Sequence, residues 1–201
     1  MAYTGTPTLD GHLSMLSQTT WAAARGSTSA TENDTTSTTA TVRAEQAVAD
    51  VYHVSRVFLT FSLSSIPNGA VIQSSTLAVN AQNVVASDAN LKTAHLVEST
   101  QASSSSLANG DIDNYGTTNF ATPIELATGS NTFTLNTDGI NYLKTKLGSN
   151  AVLCIMMKKD FDNTSPSVGD GRSDLNTVET STKPTLTINY TLGGGAFFVT
   201  I

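Results

Sequence analysis

The densest group of metal-ligand side chains lies between residues 160 and 174. This segment contains five carboxylate or amide side chains, from Asp160, Asp162, Asn163, Asp170 and Asp174. Calcium binds about six to eight oxygens, often from such loops, and Gly169 and Gly171 permit tight turns. The spacing differs from that of an EF-hand loop, and acidic loops are usually only solvated. Two interpretations stay open: a calcium site at Asp160, Asp162, Asp170 and Asp174, or a solvated loop.

Three tyrosines are the candidates for stacking on sugar rings. Such platforms need exposed aromatic faces, and aromatic residues make up only 6% of this chain. The single tryptophan, Trp21, and most phenylalanines fit a buried core instead. We therefore expect any sugar contact at Tyr52, Tyr115 or Tyr142.

No group of residues indicates catalysis. His12, His53 and His95 lie outside any G-x-S-x-G or H-E-x-x-H motif. Asp111 and Asp113 are of the residue type that glycosidases use as an acid pair, but their position in a predicted turn favours backbone capping. The sequence therefore predicts a non-enzymatic protein without a catalytic residue or a required cofactor.

Charge and cysteine content restrict the partners. The chain has a net charge of -6, and its ten Lys and Arg residues are scattered. Binding to nucleic acid or to an anionic membrane normally needs a basic patch, so neither partner is expected. Cys154 lies in an apolar run and is predicted to be a core residue. Residues 1–7 lack the features of a signal peptide, and no apolar stretch approaches the roughly 18 residues of a membrane span.

The elements that must position these residues are mostly strands. Apolar patterns predict strands at 51–63, 70–80, 92–98, 131–136, 150–158 and 183–190. Within the first strand, Val57, Leu59 and Phe61 share one face, and Arg56 and Phe58 share the other. A core should contain Val57, Leu59, Phe61, Leu77, Phe133, Leu153, Ile155, Leu186 and Ile188. Thr137 or Asp138 can cap one short helix that continues to residue 147, where Gly148 stops it.

Many short strands and one helix predict an all-β fold. We expect a two-sheet antiparallel sandwich with jelly-roll topology. Residues 1–20 form an N-terminal arm in this prediction, 21–192 the sandwich, and 193–201 a glycine hinge with an apolar strand. The Ser- and Thr-rich stretch 27–41 has the composition of a loop.

The C-terminal segment is the predicted partner-binding element. Gly193, Gly194 and Gly195 have the flexibility of a hinge. The following side chains of Phe197, Phe198, Val199 and Ile201 could add a strand to a neighbouring subunit. The alternative is that this segment folds back on its own sandwich.

Several segments resemble, in order, the DNRLRE domains, which are carbohydrate-binding-module-like jelly rolls also carried by phage structural proteins. Residues 56–70, RVFLTFSLSSIPNGA, resemble their strand R-x-ϕ-ϕ-x-F-D-L-S-x-I-P-x-G-A. Residues 72–79 are similar to the paired strand, and 111–118, DIDNYGTT, to the segment D-Y-D-N-F-G-T-T. Residues 138–143 are similar to the family's helix, and 183–190, KPTLTINY, to its closing strand.

The resemblance covers about residues 20–191, with departures. Ser62 stands where the family usually has an acid, the D-N-R-L-R-E box itself is absent, and residues 192–201 lie outside the pattern. The resemblance implies a phage virion protein, either a capsid decoration or head-fibre protein or a tail-associated one. Its partners would be other virion proteins and copies of itself, and it would be made in the host cytoplasm. The alternative is a carbohydrate-binding module that contacts host-surface glycans.

Overall fold

The computed structural model describes residues 1–86, 89–169 and 171–192. They form twelve β-strands, three short α-helices and two 3-10 helices. The strands are β1 Ala2–Gly5, β2 Leu9–Gln18, β3 Glu32–Asp34, β4 Thr39–Val48, β5 Val51–Ser62, β6 Val71–Ala86, β7 Thr93–Glu98, β8 Ile124–Glu125, β9 Gly129–Thr134, β10 Asn150–Met157, β11 Gly171–Asn176 and β12 Thr185–Thr191. The helices are α1 Trp21–Arg25, α2 Thr137–Thr145 and α3 Lys158–Phe161, and the 3-10 helices are Ala89–Leu91 and Asn109–Asp111.

The strands belong to one curled, antiparallel hydrogen-bonded sheet. Its order is β1-β12-β6-β11-β4-β5-β10-β7-β8, while β2 pairs with β5 and β3, and β9 pairs with β6. The predicted all-β class is confirmed. Because all twelve strands share one network, the split into two sheets with jelly-roll topology stays a prediction.

The sheet branches at β5. One edge of this strand pairs with β2 along most of its length, from Thr60 opposite Leu9 to Tyr52 opposite Gln18. The other edge pairs with β4 in its first half and with β10 in its second half. The branch through β4 continues to β11, β6, β12 and β1, and the branch through β10 continues to β7 and β8.

The main core joins residues from both branches. All nine predicted core residues are buried and belong to one packed cluster, which confirms that prediction. The cluster includes Phe61 from β5, Leu77 from β6, Leu153 from β10 and Leu186 from β12. Burial of these strands' apolar faces against one another stabilises the curled sheet.

A second core covers the reverse face of β5 and β10. Phe58, Cys154 and Met156 pack there with Leu13 and Ile112. Cys154 is buried, as predicted. Alternation along β5 therefore does not separate a buried face from an exposed one, because other chain segments cover both faces.

Three local predictions need correction. Residues 1–20 are not a separate arm in the described structure, since they supply β1 and β2, which pair with β12 and β5. The loop-like stretch 27–41 contains β3 and the start of β4. The predicted single helix exists as α2. Its N-cap is Asn136, whose side chain accepts from the Gly139 amide, and not Thr137 or Asp138. Two further helices, α1 and α3, were not predicted. Short helices of four or five residues carry too little periodicity to be recognised in a sequence.

Candidate functional site

The candidate site is a cleft of about 360 Å³ beside α2. Its lining combines carboxylates, hydroxyls, an amide and two aromatic rings: Glu98, Gly116, Thr118, Phe120, Asp138, Asn141, Tyr142 and Thr145. It contains one of the three predicted sugar-stacking tyrosines. It also contains part of the 111–118 segment on which the family resemblance depends.

Helix α2 forms one wall of the cleft. Asp138, Asn141, Tyr142 and Thr145 recur at helical spacing and therefore share one face of the helix. Gly139 lets this helix approach the opposite loop closely, because a Cβ there would lie 2.5 Å from the Phe120 carbonyl oxygen.

The opposite wall is a loop held against β7. The Gly116 amide donates to the Glu98 carbonyl at 2.8 Å, and the Phe120 amide donates to the Leu96 carbonyl at 2.7 Å. These bonds fix the loop at both ends of its contact with the strand. The carboxylate of Glu98, at the end of β7, therefore faces the helix across the cleft.

The floor of the cleft is aromatic but mostly covered. The rings of Phe120 and Tyr142 stack with centroids 4.9 Å apart, and the two residues are only 5% and 8% exposed. The Tyr142 hydroxyl donates to the Val152 carbonyl at 2.8 Å and accepts from the Val152 amide at 2.9 Å. Burial raises the pKa of this hydroxyl. Tyr142 therefore ties α2 to β10 and presents little aromatic face to a sugar.

Polar groups dominate the rim. The Lys146 ammonium lies 3.8 Å from a Glu98 carboxylate oxygen and 5.1 Å from the centre of the Tyr142 ring. With Asp138 as a second carboxylate and the Asn141 amide, the rim offers both acceptors and donors. Such a rim can hydrogen-bond the hydroxyls of a neutral polyol, and its carboxylates disfavour an anion.

The other two predicted tyrosines lie elsewhere. The Tyr115 ring covers the Arg56 guanidinium, with 4.3 Å from the ring centre to Cζ. Tyr52 packs at a tilt against Trp21, with centroids 6.3 Å apart. The three tyrosines therefore have three separate sets of contacts and do not build a shared platform.

Arg56 is buried, and the alternating pattern of β5 did not predict this burial. Its Nε and one Nη each donate at 2.7 Å to the two oxygens of the Asp160 carboxylate, which is also fully buried. Further bonds reach the carbonyls of Ile112 and Arg25. Burial alone would lower the pKa of Arg56, but the charge of Asp160 outweighs it and raises that pKa. This network, with the Tyr115 ring, connects β5, α1, α3 and the 111–118 segment.

Three of the four predicted calcium ligands have protein partners in the structure. Asp160 binds Arg56, and Asp162 lies 2.5 Å from the Lys158 ammonium. Asp174 accepts from the Thr41 hydroxyl at 2.9 Å. Asp170 lies outside the described residues. Within 1–86, 89–169 and 171–192, no three His, Cys, Asp or Glu side chains are close enough to share a metal ion.

The histidines are dispersed. His12 lies 3.9 Å from Glu32, His53 accepts from the Ser17 amide, and His95 stacks on Phe161 with centroids 4.2 Å apart. Burial lowers the pKa of all three imidazoles. The lowered pKa favours the neutral form of each imidazole near pH 7. The three histidines lie on different strands, β2, β5 and β7.

Asp111 caps the backbone, as its turn position predicted. Its two carboxylate oxygens accept from the amides of Ala102 and Ala108 at 3.1 and 2.8 Å. Its geometry is that of a structural residue in the loop beside the cleft.

The predicted partner-binding residues Phe197, Phe198, Val199 and Ile201 lie outside the described residues. None of the helices that the structure describes has the length and apolarity needed to cross a bilayer. Comparison with protein-family models gives no match, and comparison with curated protein sequences gives none either.

Proposed function

We propose that this chain is a non-enzymatic structural protein of a phage virion, built on a DNRLRE-type jelly roll with two packed layers. It acts as a capsid decoration, head-fibre or tail-associated protein through contacts with other virion proteins and with copies of itself. It needs no cofactor for this role. The supporting observation is a set of three exposed apolar residues at one end of the sheet, Met1, Val71 and Leu192, which we call the apolar end surface and which lies next to the start of the C-terminal segment.

The apolar end surface lies where β12 ends. Val71 pairs with Thr191, and the Met1 carbonyl accepts from the Tyr190 amide at 2.9 Å. Met1, Val71 and Leu192 are 69%, 45% and 53% exposed. Met1 and Val71 pair with the consecutive residues Tyr190 and Thr191, so their side chains point to opposite faces of the sheet. Exposed apolar residues therefore occupy both faces at this end, and such a group marks a contact region more often than a single residue does. Because the apolar segment 196–201 follows closely, one partner could cover both.

Assembly can be measured by analytical ultracentrifugation of the whole chain. We expect self-association that is lost on deletion of residues 196–201 and weakened by Val71→Ser, with unchanged melting temperatures. Val168→Ser is the matched control, since Val168 is also an exposed valine but lies outside this surface. A whole chain that stays monomeric at all concentrations, or a deletion that unfolds the domain, would contradict the proposal.

A second candidate function is glycan binding in the α2 cleft. It is favoured by the rim of carboxylates, hydroxyls and an amide, although the buried aromatic floor is a weak sugar platform. Screening the protein against an array of neutral glycans tests it. Asp138→Asn should weaken any binding, while Asp113→Asn, at an equally exposed acid outside the cleft, should not.

A further inference from the structure

A second cavity, of about 290 Å³, opens where β4 and β11 meet. It is lined by Arg43, Glu45, Val85 and Arg172. Arg43 and Arg172 stand directly opposite each other in the β4–β11 register. Like charges in directly opposite positions destabilise a strand pair, so this arrangement weakens the sheet unless something lies between the two guanidiniums.

The carboxylates beside the two arginines are partly engaged elsewhere. Glu45 lies 3.6 Å from the Arg43 Nε but accepts a hydrogen bond from the Gly171 amide at 3.2 Å. Asp174 lies 3.3 Å from an Arg172 Nη but accepts from Thr41 and from Asn83. Each guanidinium therefore has an acidic neighbour, and neither neighbour is a dedicated, bidentate partner.

Arg43 has an unused hydrogen-bond donor. Its side chain is only 15% exposed, and its Nε is buried without a hydrogen-bond partner. A buried donor without a partner costs free energy, and a charged donor costs more than a neutral one. Burial lowers the pKa of the His12 imidazole, which interacts electrostatically with Arg43 and Asp174, so it adds no positive charge at neutral pH.

We propose that Arg43 and Arg172 together bind an oxyanion, that is, a carboxylate, phosphate or sulfate group, in this cavity. Two guanidinium forks match the oxygens of such a group, and the bound anion would offset the repulsion between the like charges. The cavity is large enough for one oxyanion group on a small molecule. This site is separate from the apolar end surface and from the α2 cleft, and it does not depend on the proposed function.

The primary test is a titration of the intact chain with sodium sulfate at constant ionic strength, with chloride as the balancing ion. The Nε–Hε NMR signals of Arg43 and Arg172 report binding directly. We expect saturable shifts of both signals with 1:1 stoichiometry. Arg172→Gln should weaken binding by about tenfold or more, because it removes charge-assisted hydrogen bonds. Lys183→Gln removes one exposed positive charge elsewhere and should leave binding unchanged.

A parallel titration with glucuronate distinguishes a free inorganic anion from an acidic sugar as the preferred source of the oxyanion. Stronger binding of either compound supports the site and identifies the better ligand. Shifts that grow linearly without saturation with both ligands would overturn the proposal. Equal losses of affinity in Arg172→Gln and Lys183→Gln would also overturn it, since they would show only screening of the overall charge.

Discussion

Arg56 and the pair formed by Arg43 and Arg172 show two different uses of arginine in one sheet. Arg56 is fully buried, has a bidentate carboxylate partner in Asp160, and lies under the ring of Tyr115. Arg43 and Arg172 stand opposite each other at a cavity, with neighbouring carboxylates that also bind other groups. The first arrangement satisfies its charge within the fold, and the second leaves charge available for another molecule.

This difference teaches how to distinguish structural from binding arginines. Burial alone does not separate them, because the Arg43 side chain is also largely covered. The number and geometry of carboxylate and carbonyl partners do separate them, since a buried guanidinium with incomplete partners is costly to the fold. The comparison therefore predicts a large loss of stability when the partner of Arg56 is removed and a small change when Arg172 is replaced.

The largest expected effect follows from removing the partner of Arg56. Asp160→Ala leaves a buried, unpaired guanidinium and should lower the unfolding free energy by about 3–5 kcal/mol. Asp162→Ala, which removes an exposed pair with Lys158 from the same segment, should cost less than about 1 kcal/mol. Urea unfolding of both variants measures the contrast, and similar small losses would show that the Arg56 network is not structural.

A buried acid, Asp10, extends the comparison to the opposite sign of charge. Burial raises the pKa of Asp10 to about 6 from 3.8, although the Val178 amide donates to its carboxylate. Because the folded pKa exceeds the unfolded one, this group reduces stability progressively as the pH rises from about 4 to 6. Asp10→Asn keeps an acceptor for Val178 and removes the charge. Its unfolding free energy should exceed that of the wild type by about 2 kcal/mol at pH 7 and should converge with it near pH 4.

A smaller effect tests the aromatic cover of Arg56. Tyr115→Leu removes the cation–π contact and should destabilise the fold by about 1–2 kcal/mol. Tyr115→Phe keeps the ring and should retain most of the stability. Thermal unfolding of the two variants separates the ring from the hydroxyl, and equal losses would mean that the hydroxyl, not the ring, is what matters.

The smallest effect is expected at the cavity. Arg172→Gln should change the unfolding free energy by no more than about 0.5 kcal/mol, because removal of the like charge opposite Arg43 offsets the lost pair with Asp174. Chemical unfolding in buffer without sulfate or phosphate measures this. A loss of stability as large as that of Asp160→Ala would show that Arg172 stabilises the fold as Arg56 does, and would contradict the comparison.

Much of the sheet could be predicted from the sequence. The strands around residues 57–61, 150–157 and 185–191 have apolar patterns strong enough to identify them, and their core residues are buried as expected. Six strands were missed: β1, β2, β3, β4, β8 and β11. β1 and β3, with four and three residues, are too short to carry a periodic pattern. The branching of β5 is a property of strand pairing that no local pattern reveals.

The candidate sites were less predictable than the fold. The spacing of Asp138, Asn141, Tyr142 and Thr145 could have indicated a polar helix face, but the opposite wall comes from distant residues. The pairing of Arg43 with Arg172 depends on the register of two strands far apart in the sequence. The burial of Arg56 depends on α1, α3 and the 111–118 segment, which cover a face that the alternation of β5 alone does not mark as buried.

The pairing of β1 with β12 has a consequence for the order in which the protein can form. Met1 and Tyr190 are 189 positions apart in the chain, yet their main chains are hydrogen-bonded. On the ribosome β1 is made long before β12, so its polar main chain stays without its β12 partner until that strand has emerged. Contacts between such distant segments slow folding, because the loop between them must be closed first. The pairing of β1 is therefore expected only after synthesis of β12, and a nascent chain stalled before residue 185 should remain sensitive to protease at β1.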